Sequence, residues 1–187
     1  MHELDEPNRQ RQVTGSRQPT PGPARYQLDV VGAHVADVVD SAGGWLFDRV
    51  MAGWDVRVAV ADGRDIAALD ILGVQPVSLG AVLGGGTTPT ALAVAGAMCR
   101  SNDQVRDALA ASTRSAHAEA LVWGEVWPVG PGRLGTEVRH ELSAAARVFK
   151  AQAAFAAGRD KTVAPFEVFR SYGRLVSTDY PDLLPVS

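Results

Sequence analysis

Residues 29–79 read DVVGAHVADVVDSAGGWLFDRVMAGWDVRVAVADGRDIAALDILGVQPVSL, and this stretch decides the fold. Val35, Val38, Val39, Ala42, Leu46 and Val50 recur at helical spacing and predict a helix over 33–52 with one apolar face. Gly43 and Gly44 fall in its middle, where each costs about 1 kcal/mol against alanine. Either another element packs very close there, or the helix breaks at 41–44; the continuous helix is preferred. Gly53 is expected to end it. Trp54, Val56, Val58 and Val60 then alternate with Asp55, Arg57 and Ala59, which predicts a strand over 54–61. After the Asp62-Gly63 turn, IAALDIL reads as a hairpin strand or as a short helix capped by Asp65, with Ile66, Leu69 and Leu72 buried. The helix is preferred, and 74–79 becomes the next strand, with Pro76 requiring an edge or irregular position.

Outward from this centre, 26–31 is a short strand and residues 1–25 form an arm. Pro7, Pro19, Pro21 and Pro23 interrupt the arm, and it carries too little apolar surface to offset its ordering entropy. It is therefore expected to be disordered. Residues 80–88 form a glycine-rich loop, which runs through LGGGTTPT (83–90) into an apolar helix that Thr88 caps and Pro89 opens. Ser101 and Gln104 suggest a capping box for a second helix with Val105, Ala108 and Leu109 inward. A strand is expected over 119–127. A long helix is expected over 137–157, with Val138, Leu142, Ala145, Phe149 and Ala153 as its stripe. Phe166, Phe169, Tyr172 and Leu175 recur at helical spacing near the carboxyl terminus. The domain reading is an arm over 1–25, one α/β domain over 26–160 and a docking segment over 161–187. Helices alternating with strands give a three-layer α/β fold with a mostly parallel sheet.

The stretch AGWDVRVAVADGRD resembles the second strand of Rossmann-like domains, with Asp62 at its carboxyl end. The resemblance implies a Rossmann-like topology. It carries no dinucleotide, because the first strand leads into VVGAHVADV, where Gly32 stands alone and G-x-G-x-x-G is absent. No cofactor is expected.

Composition narrows the function classes. The chain has 187 residues, 46% hydrophobic and 21% charged, with a net charge of −3. That balance argues against nucleic acid as the main partner. A lone cysteine, Cys99, excludes an intrachain disulfide. No secretory leader or membrane span is read, so a cytoplasmic location is expected. Lysine is confined to Lys150 and Lys161 against sixteen arginines, a bias that resembles high-GC bacterial coding.

Candidate chemistry is sparse. Gly84, Gly85, Gly86, Thr87 and Thr88 offer backbone N–H groups and hydroxyls to an anion, although no lysine follows as a Walker loop needs. Glu125, between Trp123 and Trp127 on a strand face, is either a desolvated carboxylate with a raised pKa or an edge residue reaching water past the rings; the edge residue is preferred. Asp62 is a second weak acid–base candidate. His34 and Asp37 stand three apart near a helix start. Glu137, His140 and Glu141 look like half of a metal site, but position 144 is Ala144 rather than a second histidine, so no metal is expected. No G-x-S-x-G elbow occurs. The reading that follows is a non-catalytic protein acting through a protein partner or self-association, by way of the aromatic carboxyl-terminal segment. The alternative is a small-ligand or phosphate-binding Rossmann-like protein, or an enzyme, using the glycine loop.

Overall fold

A computed structural model describes residues 26–64, 66–84, 89–115, 117–125, 127–129, 134–172 and 182–186. The expected arm over 1–25 lies outside them. The chain runs β1 (Gln27–His34), α1 (Val35–Met51), β2 (Asp55–Asp62), α2 (Ala67–Ile71), β3 (Gln75–Pro76), α3 (Leu79–Leu83) and β4 (Ala91–Ala95). It continues through α4 (Gly96–Ser101), α5 (Asp103–Arg114), β5 (Glu119–Trp123), β6 (Thr136–Glu141), α6 (Ala144–Ala156), β7 (Phe166–Ser171) and β8 (Leu184–Pro185). The eight strands form one sheet in the order β3-β2-β1-β4-β5-β7-β6-β8. β3 to β5 pair in parallel, and β7, β6 and β8 add antiparallel pairings. α1, α2 and α6 pack together on one face, while α3 and α5 meet on the other. The three-layer, mostly parallel α/β reading therefore holds.

The opening stretch behaves as read in α1, β2 and α2, except that Ile66 is exposed; the strand expected over 74–79 is reduced to Gln75–Pro76, because Leu79 already opens α3. α1 runs unbroken through Gly43 and Gly44, and Gly53 follows it at φ 88°. α2 is a helix, not a hairpin strand, and Pro76 sits on the edge strand β3, where a missing N–H disturbs no further ladder. Leu28, Val30, Val31, Val56 and Val58 are buried in the central strands.

Five further expectations are corrected. The apolar run after Pro89 is the strand β4, not a helix: all five of its residues are buried. A central parallel strand is covered on both faces and so loses the alternation that marks a strand in sequence. The glycine loop is also shorter than expected, because Ser78 caps α3 through the amide of Ala81. Residues 137–157 split into β6 and α6. Val138 and His140 are buried while Thr136, Arg139 and Glu141 are exposed, a two-residue period that the following helix pattern masked. Ser143 caps α6, whose buried residues are Ala146, Lys150, Ala153 and Ala154, and Phe149 is exposed. Phe166 to Ser171 form β7 rather than a helix, seated between β5 and β6. Finally, the cap of α5 is Asn102, which accepts from the amides of Gln104 and Val105, one residue beyond the expected Ser101.

Candidate functional site at the carboxyl edge of the sheet

From β1 the chain moves outward to β2 and β3, then returns through α3 to place β4 on the opposite side of β1. Neighbouring connections thus diverge at the carboxyl ends of β1 and β4, which is where open α/β sheets bind ligands. His34 ends β1 and stands at the cap position of α1 with an exposed side chain that caps no amide. Asp62 ends β2 in register with His34. The two residues line a cavity of about 210 Å³ together with Arg64. Arg64 Nε donates to Asp62 at 2.9 and 3.1 Å. That hydrogen bond holds the Asp62 carboxyl below its ordinary range, against a small desolvation, and His34 adds a weaker pull.

Asp37, in the first turn of α1, is tied to the end of β5. The indole N–H of Trp123 reaches both carboxylate oxygens at 3.3 Å, and Ser41 Oγ donates at 3.5 Å. Trp123 is buried. Ser41 and Trp123 also face a second cavity of about 370 Å³, enclosed by Lys150, Phe166 and Glu167. Beyond Trp123 the strand stops, because Gly124 turns the chain at φ 74°. Glu125 is consequently off the strand face and exposed, paired with Arg100. The strand expected over 119–127 thus ends at Trp123, no desolvated carboxylate forms between two indoles, and the preferred reading of Glu125 as a residue that reaches water holds. The glycine at position 96 is required by this turn: a Cβ there would lie 2.1 Å from the Glu125 carbonyl oxygen.

Sequence reasoning missed the group behind this edge. Lys150 Nζ meets Glu167 Oε1 at 2.6 Å and the Asp40 carbonyl at 2.7 Å. The Glu167 carboxylate accepts from the amides of Gly44 at 2.9 Å and Trp45 at 2.8 Å. Burial raises the Glu167 carboxyl pKa, with Lys150 opposing the shift. The available signal was the Gly43-Gly44 pair in the middle of a helix, together with the scarcity of lysine.

His140 belongs elsewhere. Its Nε2 lies 2.8 Å from Asp48 Oδ2 and its Nδ1 lies 2.9 Å from the Asp182 carbonyl. Glu137 pairs instead with Arg170, so the apparent half-site does not assemble. Among the described residues no three His, Cys, Asp or Glu side chains gather closely enough to hold a metal ion. Asp182 also receives Arg49 and the Trp45 indole N–H. Of the five candidate anion-binding residues of the glycine loop, only Gly84 is described, at the end of α3. Gly85, Gly86, Thr87 and Thr88 lie outside the described residues. Pro89 leads into β4, so the helix end that was expected to favour an anion is missing.

No protein-family model matches the chain, and no curated protein matches it in sequence. Solved structures do match. The chain is similar to the deacetylase–teicoplanin complex of teicoplanin biosynthesis, with a TM-score of 0.57 at 14% identity. The match covers 86% of this chain and 99% of that one. It is also similar to the A40926 pseudoaglycone deacetylase Dbv21, with a TM-score of 0.50 at 16% identity over 71% of this chain and 81% of that one. The chain has the fold of these deacetylases. That finding corrects the expectation of a non-catalytic interaction protein, since the architecture is one that solved enzymes share, along 99% of one and 81% of the other. Among the described residues, no helix is long and apolar enough to cross a membrane.

Proposed function

We propose that the protein is a hydrolase of the deacetylase type, which removes an acyl group from the nitrogen of a small N-acylated molecule at the edge around His34. The observation that carries this reading is the likeness along 99% of the length of a teicoplanin deacetylase, with an exposed histidine at the switch point of the sheet. Water adds to the amide carbonyl carbon, the C–N bond breaks, and the products are a carboxylic acid and an amine. Imidazole suits the proton transfers at neutral pH: His34 takes a proton from the attacking water and returns one to the departing nitrogen. The first-turn amides of α1, which the His34 side chain leaves uncapped, face the developing oxyanion.

The finer fold assignment belongs with this proposal. A Rossmann-like reading is supported by the order β3-β2-β1-β4-β5 of the parallel strands. A cytoplasmic location is supported by the single, buried Cys99. Self-association through the carboxyl-terminal segment is a separate proposal, supported by the exposed Phe166, Val168 and Leu184 and tested by sedimentation.

Release of primary amine from a panel of N-acetylated amino compounds, N-acylated glycopeptides included, tests the reaction. The native chain is expected to release amine, and His34→Ala to lose about 100-fold or more of the rate while keeping its melting temperature. Absence of release across the panel overturns the proposal.

A further inference from the structure

α1 is not held by its own ladder alone. In a regular helix the Gly44 amide bonds the Asp40 carbonyl, four residues earlier. Here Lys150 also reaches that carbonyl and Glu167 also reaches the amide, while the ammonium and carboxylate close on each other. The second carboxylate oxygen takes the next amide, Trp45. Both side chains are buried, and they come from α6 and β7, two elements that pack against the helix. The glycines make the space: a Cβ on Gly44 would stand 2.1 Å from Leu142 Cδ2, and 3.3 Å from Glu167 Oε1. Upstream of this point lie Asp37, Asp40 and Ser41, the turns that hold the Trp123 indole; downstream lies the buried body of the helix.

We propose that Lys150 and Glu167 form a wedge in α1 that positions its first two turns, keeping Asp37 against Trp123 and so setting the carboxyl-edge site. What is positioned rests on the function proposed above; how it is positioned rests on the hydrogen bonds alone. Neither residue touches His34, so both are positioning residues rather than catalytic ones. A pair that served stability only would leave the far end of the turn unchanged when removed from a chain that still folds.

The double variant Lys150→Met/Glu167→Leu removes both charges together, which leaves the Gly44 and Trp45 amides to the helix ladder alone. The readout is the indole N–H resonance of Trp123, assigned by its loss in Trp123→Phe and referenced to Asp37→Ala, which lacks the acceptor. In the folded double variant the resonance is expected at the Asp37→Ala position, with proton exchange accelerated about tenfold or more. A resonance that stays at the native position overturns the proposal. Should the double variant not fold, Glu167→Gln, which preserves size and one acceptor, is read the same way: a shifted indole supports the wedge and an unmoved one overturns it. No substrate enters the measurement, so a chain that cleaves no amide still answers it, and amide cleavage with an unmoved indole sinks the wedge alone.

Discussion

Arg49 Nη2 stands 3.2 Å from Glu119 Oε2, with both side chains almost wholly buried. The same guanidinium reaches Asp182 at 2.8 Å and lies 4.1 Å from the Trp54 ring centroid. Two carboxylates thus share one cation, and the other Glu119 oxygen, Oε1, has no hydrogen-bond partner among the described residues. Burial pushes the Glu119 carboxyl up to about 7, against the pull of Arg49 and with a further push from Asp182.

The pH dependence follows from that direction. Above its unfolded value the folded chain holds the Glu119 proton more tightly, so the native state binds more protons and stability falls as pH rises from about 4.5 to about 7. The loss is complete above the folded value and amounts to roughly 3 kcal/mol. Glu119→Gln is expected to raise the melting temperature relative to the native chain at pH 8 and to raise it much less at pH 5. Equal differences at the two pH values would show that Glu119 does not titrate in this window.

The two helix glycines should respond with opposite signs. Gly43→Ala meets Leu72 Cδ1 at 3.4 Å, an ordinary contact, and gains up to about 1 kcal/mol of helix propensity. Gly44→Ala runs into Leu142 and is expected to lose about 1–3 kcal/mol through overpacking. Urea midpoints of the two variants separate these outcomes, and a stabilised Gly44→Ala contradicts the close approach.

Asp29 and Arg57 face each other across β1 and β2, joined by two bonds of 2.8 and 2.7 Å. Asp29 is buried, whereas Arg57 is partly exposed. Arg57→Leu leaves the buried carboxylate without its countercharge and with only the Gln27 side-chain amide, at 3.1 Å from both oxygens, and is expected to cost about 3 kcal/mol at pH 7. Asp29→Asn added to Arg57→Leu should recover part of that loss in denaturant melts. No recovery would mean that lost packing, not the charge, sets the cost.

Cys99 is buried, and desolvation pushes its thiol up to about 11. The thiolate is the reactive form. Labelling by a disulfide reagent at pH 8 is therefore expected to follow opening of the fold, accelerating with urea in step with unfolding. Rapid labelling of the native chain would contradict the buried position.

The sequence determined the first half of the sheet. Alternation in β2, the helical stripe of α1 and the edge proline of β3 are local patterns, each set by which neighbours along the chain share a face. The same locality explains the errors. β4 carries no alternation because helices cover both of its faces, and β6 and α6 blur into one another because Val138 and Leu142 also fit a helical stripe. Gly43 and Gly44 signalled a close approach, but the sequence did not say what approached. Only the tertiary structure brought Lys150 and Glu167 into α1, Trp123 onto Asp37, and His34 beside Asp62 at the switch point. Those contacts join residues 28 to 123 positions apart, except the Lys150–Glu167 pair itself. No periodicity encodes them, because sheet order, not chain order, decides which strand ends become neighbours.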